Sequence, residues 1–218
     1  MPLLLRKATA SDAKVLTEIY FSAFQIDAIS LLVFPRTADL AIGSKSSFDW
    51  WYNSIIEELE DPNAHFLCIY DSDSADQKIV SYCKWNGPNA PFGADLPAWP
   101  EGADVSIANH FFGSLVGRHE IIMKGRKHWY LEFIATRPDY QGKGAAGQLL
   151  RWGIERSEEE WAETYLEASP DGKPIYERFG FEEVDRLVVE LEGKGEGPLS
   201  EKEFVEVFMV RPVKGKKE

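Results

Sequence analysis

The chain has 218 residues, 44% hydrophobic and 28% charged, enough to bury most of its apolar surface in one domain or two small ones. Its formal net charge of −12 excludes a general nucleic-acid binder and favours a cationic or amine-bearing partner at long range. Two cysteines exclude a disulfide scaffold and a cysteine zinc site, and no apolar run approaches a membrane span.

In chain order, Leu3-Leu4-Leu5-Arg6-Lys7-Ala8 reads as an opening strand. Thr9 with Asp12 three residues on makes a capping pattern. The helix it starts carries Val15, Leu16, Ile19, Tyr20, Ala23 and Phe24 at helical spacing. Residues 26–43 are mixed and apolar, broken at Pro35 and Gly43. Ser46 or Ser47 caps a second helix over 48–59, with Trp50, Trp51 and Tyr52 near its start. Strands over 65–70 and 78–85 form an antiparallel hairpin through the polar link 71–76. They carry Cys68 and Cys83, expected to be core thiols of a reducing, cytoplasmic compartment. The short apolar start before Arg6 and Lys7 is no signal peptide.

Residues 86–127 read as an irregular Pro-, Gly- and Trp-rich insertion. Pro88, Pro91, Pro97 and Pro100 exclude continuous helix or central strand up to residue 102. Residues 103–123 have irregular helical spacing, and Trp99 argues for order in the loop before them. Long ordered loops often serve as lids or binding loops.

The chain's organising stretch follows. Residues 129–136 are apolar and β-rich. Next comes Arg137-Pro138-Asp139-Tyr140-Gln141-Gly142-Lys143-Gly144-Ala145-Ala146-Gly147, then a helical stripe of Leu149, Leu150, Gly153, Ile154 and Ser157. A strand running through a glycine-bearing turn into a helix N-terminus places unpaired N–H donors and the positive dipole end at one point. That is an anion site suited to phosphate or pyrophosphate. It is no Walker loop, because no Gly-Lys-Ser/Thr closes it. The spacing of Gly142, Gly144 and Gly147 fits G-x-G-x-x-G, but half a domain precedes it where a dinucleotide fold would begin. A strand at 164–168, a turn at 169–172 and a short helix at 173–179 stopped by Gly180 come next. Strands over 183–192 and 203–210, joined by a glycine-rich 193–198, complete the fold. Residues 213–218 read as a charged tail without fixed structure.

Gln141, Gly144 and Ala146 match Gln/Arg-x-x-Gly-x-Gly/Ala, and Tyr176-Glu177-Arg178-Phe179-Gly180-Phe181 follows a short strand. In these two elements the chain resembles the GNAT superfamily of acyl-CoA-dependent N-acyltransferases, closely over residues 129–181 and in general layout elsewhere. The resemblance implies a single α+β domain over residues 1–212, with a mostly antiparallel mixed sheet of six to seven strands flanked by helices. It implies transfer of acetyl from acetyl-CoA directly to an amine of a small-molecule or peptide acceptor, without a metal. Gln141, Gly142, Lys143, Gly144, Ala145 and Ala146 would hold the pyrophosphate. Ile134, Ala135 and Thr136 would pair with the pantetheine arm beside a bulge. The helix of Trp50 and Trp51 would line the acceptor pocket. Tyr176 would protonate the leaving thiolate, or it is a core residue beside Phe179 and Phe181.

The amine must be neutral to attack. Glu132 is the candidate base, taken by strand period to share a face with Ile134; alternatively it points to solvent or pairs with a cation. His110, His119 and His128 are further candidate bases. No histidine pair has metal-ligand spacing. Cys68 and Cys83 lack a neighbouring histidine, which disfavours a covalent thiol intermediate. Two other functions stay open: a CoA-binding module without catalysis, and an interaction domain using residues 86–102. The sequence names neither the acceptor nor the oligomeric state.

Overall fold

The structure, a computed structural model, describes residues 2–35, 46–90, 96–191 and 202–213. In chain order, β1 (Leu3–Lys7) and one 3-10 turn lead into α1 (Ala13–Ala23), α2 (Ala28–Val33) and α3 (Ser47–Glu58). Next come β2 (Ala64–Asp71), β3 (Ile79–Asn86), α4 (Val105–Met123), β4 (His128–Thr136) and α5 (Ala145–Glu159). The chain continues with β5 (Glu163–Ala168), α6 (Lys173–Arg178), β6 (Glu182–Glu190) and β7 (Glu203–Arg211). The strands form one seven-stranded sheet in the order β1-β2-β3-β4-β5-β7-β6. Only β4–β5 is parallel; the other five pairs are antiparallel. The expected α+β architecture with a mostly antiparallel sheet is the one observed.

Strand alternation sends successive side chains to opposite layers. Leu67, Ile69, Cys83 and Trp85 pack against the α5 stripe of Leu149, Leu150 and Ile154. Phe66, Cys68 and Tyr82 face the other way, against Leu16 and Ile19 of α1 and Ile55 of α3. Farther along that second layer, Ile29 and Val33 of α2 and Phe111 of α4 cover Tyr165 and Phe208. Each fully buried Leu or Ile in these layers contributes roughly 1.5–3 kcal/mol. Cys68 and Cys83 are both buried, as expected, but lie in different layers, so they are not disulfide partners. Burial pushes the Cys68 thiol up to about 11 and the Cys83 thiol well up, which leaves neither as a thiolate nucleophile near neutrality.

At the start of α1 the Asp12 carboxylate takes the Thr9 backbone N–H at 2.8 Å and a two-pronged contact from Arg6 at 2.7 and 2.9 Å. The Arg6 hydrogen bonds hold Asp12 below the usual carboxylate range. β1 and α1 are thereby locked at one corner.

Helix α2 was not legible in residues 26–43. Its side chains, Ala-Ile-Ser-Leu-Leu-Val, have no polar phase to reveal a period. The cap marks it instead: Asp27 accepts the Ser30 N–H at 2.7 Å. Glu158, in the last turn of α5, pairs with Arg211, which is 3% exposed and also donates to the Phe179 carbonyl at 3.0 Å. The end of β7 is thus tied to both α5 and α6. The glycine-rich joint at 193–198 and residues 214–218 of the tail lie outside the described residues, as does the 91–95 part of the insertion.

Candidate active site

The site begins where two neighbouring strands part. β4 and β5 pair from His128↔Glu163 to Leu131↔Leu166 and no farther. β4 then continues to Thr136 with β3 on one side and, among the described residues, no strand on the other. Trp85 pairs with Leu131 but Lys84 with Phe133, so Glu132 is the extra residue of a β-bulge. The bulge re-aims the chain where the strands separate. Ile134, Ala135 and Thr136 lie beyond it, on the stretch whose β5 side is unpaired. Ser81 Oγ donates to the Ala135 carbonyl at 2.8 Å and fixes this edge to β3.

The bulge also overturns one reading. Ile134 packs into the α5-side layer with Leu131 and Leu149. Glu132 meets Lys84 and Asn86 of β3, which share the opposite face with Tyr82. Glu132 and Ile134 therefore do not share a face; one inserted residue shifts the strand phase. Glu132 Oε2 lies 2.8 Å from Lys84 Nζ and 2.5 Å from Asn86 Nδ2. Lys84, 8% exposed, also reaches Glu58 at 3.0 Å. The candidate base thus has a cation partner, at a half-open position facing the cleft.

The turn after β4 carries the two glycines on which the anion-site expectation rests. Gly142 (φ 73°) and Gly144 (φ 87°) are left-handed, a region side chains disfavour. A Cβ on either would meet nothing within 4 Å, so the space above the loop is open. The first backbone bond of α5 is Gln148 N–H to Gly144 O at 3.3 Å. The N–H groups of residues 142–147 find no backbone acceptor among the described residues. Gln141 donates through Nε2 to the Thr136 carbonyl at 3.4 Å. Lys143 is turned back onto the Asp139 carbonyl at 2.7 Å and over the Tyr140 ring at 4.5 Å. Arg151, one helical turn past Gly147, and Arg178 line the same cleft. Sequence reading missed both, although the spacing of four along α5 could have flagged Arg151.

Tyr176 on α6 is 7% exposed, 6.0 Å from the Phe181 ring, and it lines the cleft. It is thus both core and wall. Burial raises its hydroxyl above the ordinary tyrosine value and keeps it protonated. Of the three histidines, His119 and His128 line the cleft and His110 does not. Their Nε2 atoms lie 2.7 Å apart, and His128 Nδ1 donates to the Arg126 carbonyl at 2.7 Å. Burial lowers both, His119 to about 3, so both are neutral at neutral pH.

Loop and strand edge open into one cavity of about 1630 Å³ that runs on to α2, α3 and α4. Trp50 and Trp51 of α3 line it, as does Trp99, whose ring stacks 6.0 Å from Trp50 and whose Nε1 donates to Asn109 at 2.7 Å. Tyr52, grouped with these aromatics in the sequence, instead packs into the α1–α3 layer. Glu167 and Glu206 line it too. Sequence reading missed both, because each sits in a strand that reads locally as core.

The site is thus a splayed parallel pair, a bulge at the branch point and a glycine turn with open N–H groups at the next helix. A sequence model of the acetyltransferase (GNAT) family matches residues 28–181. The chain belongs to that family. Among solved structures it resembles a Corynebacterium glutamicum protein described as histone acetyltransferase HPA2 and related acetyltransferase, with 20% identity, full coverage of both chains and a TM-score of 0.62. It also resembles a mosquito arylalkylamine N-acetyltransferase-like 5b, at 16% identity over 96% of this chain and 99% of that one, TM-score 0.62. A third is the PaiA N-acetyltransferase of Thermoplasma acidophilum in complex with coenzyme A, at 12% identity over 97% and 99%, TM-score 0.53. At these identities the likeness is one of fold.

Proposed function

We propose that the chain is an N-acetyltransferase that moves acetyl from acetyl-CoA directly to an amine. The observation that carries this reading is continuity. The anion-binding turn, the unpaired edge of β4 and an aromatic, carboxylate-bearing chamber open into one cavity. The N–H groups of residues 142–147 would hold the pyrophosphate, several sharing the task, since a helix terminus alone contributes only about 0.3–1 kcal/mol at an exposed surface. Arg151 and Arg178 would add charge there. Lys143 would contribute only after leaving the Asp139 carbonyl. Ile134, Ala135 and Thr136 would align the pantetheine arm, and a backbone N–H of that edge would polarise the thioester carbonyl.

In the reaction the C–N bond forms as the C–S bond breaks. The ammonium form of the acceptor gives up two protons. One passes to a base before attack, for which Glu132 is the proposed group, directly or through water. The other ends on the thiolate, delivered by Tyr176. The two buried, strongly raised thiols support direct transfer rather than a covalent protein intermediate. No helix among the described residues is long and apolar enough to cross a membrane. We place the activity in the cytoplasm, on the grounds of its free cysteines.

Release of CoA thiol from acetyl-CoA, followed across a panel of amines, tests the reading. Thiol release should require an amine, and acetyl-CoA should raise the melting temperature. Gly144→Asp, which brings a side chain and a negative charge to a left-handed position above the turn, should lower acetyl-CoA affinity by tenfold or more. Unchanged affinity would remove the loop from the cofactor site. Acetyl-CoA binding without amine-dependent release would leave a non-catalytic CoA-binding domain.

A further inference from the structure

Glu167 of β5 pairs with Phe208 of β7, and Glu206 lies two residues before Phe208. The two carboxylates are therefore diagonal neighbours on one face of the sheet, the face that carries Tyr165 and Phe208 and closes the acceptor side of the cavity. Glu206 is only 7% exposed. Among the described residues it has no hydrogen-bond donor and no cation against it, and desolvation and the negative field of Glu167 and Asp27 push it well up. Glu167 Oε1 is sealed from solvent, and the groups that reach this carboxylate are the neutral hydroxyls of Tyr130 and Tyr165, which bring no cation. Burial raises Glu167 to about 7.

Buried carboxylates are ordinarily paired, because an isolated one is costly. The nearby charges do not supply the partner. Lys84 is committed to Glu58 and Glu132, and His119 and His128 are held neutral by burial. The same cavity is lined by the rings of Phe34, Trp50, Trp51, Trp99 and Phe112, in mutual contact at 5.0–6.4 Å. A ligand that satisfies both surfaces carries a positive nitrogen on an apolar body, since aromatic faces and carboxylates both attract cations. A ligand ammonium would draw both acids into their charged forms, whereas a ligand carboxylate would find no uncommitted cation beside them among the described residues.

Resting on the N-acetyltransferase reading above, we propose that Glu167 and Glu206 form the subsite for the acceptor's charged nitrogen, and that the acceptor is a hydrophobic primary amine without a carboxylate. The amine sits on the two acids and its body lies against the tryptophan wall.

Calorimetric binding in the presence of coenzyme A, without an acetyl donor, tests this without requiring turnover. The probes share one ring and chain: phenethylamine, its neutral analogue 2-phenylethanol, and phenylalanine, which adds a carboxylate. The wild-type protein should bind phenethylamine at least tenfold more tightly than either of the others. Glu206→Gln and Glu167→Gln should each reduce that preference at least tenfold or abolish it, while coenzyme A still raises the melting temperature. A wild-type preference below tenfold overturns the proposal whether or not the variants fold. So does a folded variant that keeps the full preference. If the protein proves unable to transfer acetyl groups, the catalytic reading fails while the cation preference still decides this one.

Discussion

At the scale of single residues, the two proposed proton carriers can be separated. Tyr176→Phe keeps the ring in its contacts with Phe181 and Ile175 and removes only the hydroxyl. The turnover number should fall about 10–100-fold, at or below the usual range for a general acid, with the KM for acetyl-CoA nearly unchanged. Full activity would mean that the thiolate departs unprotonated, which its ordinary pKa near 8.5 allows. Glu132→Gln should depress the rate most at low pH, where the amine is protonated and needs a base, and higher pH should partly restore it. A wild-type pH profile would assign the proton to another group. These candidates were legible because each sits inside or beside a short motif. The environment of Glu132 was not. Its partner Lys84 comes from a different strand, and the inserted bulge residue changes which face it occupies. Glu167 and Glu206 were invisible for a related reason: a single acid in an apolar strand acquires meaning only when β5 and β7 bring two together.

At the scale of elements, α5 lies on the sheet by a close approach that one residue permits. A Cβ on Gly153 would stand 2.2 Å from the buried Trp85 ring, whose Nε1 donates to the Leu149 carbonyl at 3.2 Å. Gly153→Ala gains about 1 kcal/mol of helix propensity, but overpacking against a rigid indole costs roughly 1–3 kcal/mol. The variant should melt several degrees lower, with weaker acetyl-CoA binding because α5 carries the anion-binding turn. A higher melting temperature would show that the helix can lift without loss. Glycine in this stripe was readable as a helix position with lowered propensity, but its reason lay in the register of β3, remote in sequence. Elements with strong local signals, such as α5, β2–β3 and the capping pattern of Thr9 and Asp12 ahead of α1, were legible to within a residue or two; that a 3-10 turn stands between cap and helix was not. Helix α2, apolar on every side, was not.

At the scale of the whole molecule, charge is unevenly distributed along one cavity. The stretch near residues 141–147 offers backbone N–H groups, Arg151 and Arg178; elsewhere Glu132, Glu167 and Glu206 line the cavity together with aromatic rings. On the proposed reading an anionic donor would be drawn to the first stretch and a cationic acceptor to the acids, to meet at the β4 edge, where holding two reactants in place would supply much of the rate enhancement. The net charge of −12 hinted at the acceptor end alone. The splay of β4 from β5, on which the arrangement depends, is a property of strand pairing that local periodicity does not encode. The central claim is direct transfer from donor to amine within this cavity. Single-turnover reaction with isotope-labelled acetyl-CoA and phenethylamine, quenched and resolved by mass spectrometry, tests it most directly. The account predicts label in the amide product, matched by free CoA thiol, with no label on Cys68, Cys83 or any other part of the chain. Label retained on the protein, or released only as acetate while the amine stays unmodified, would contradict it.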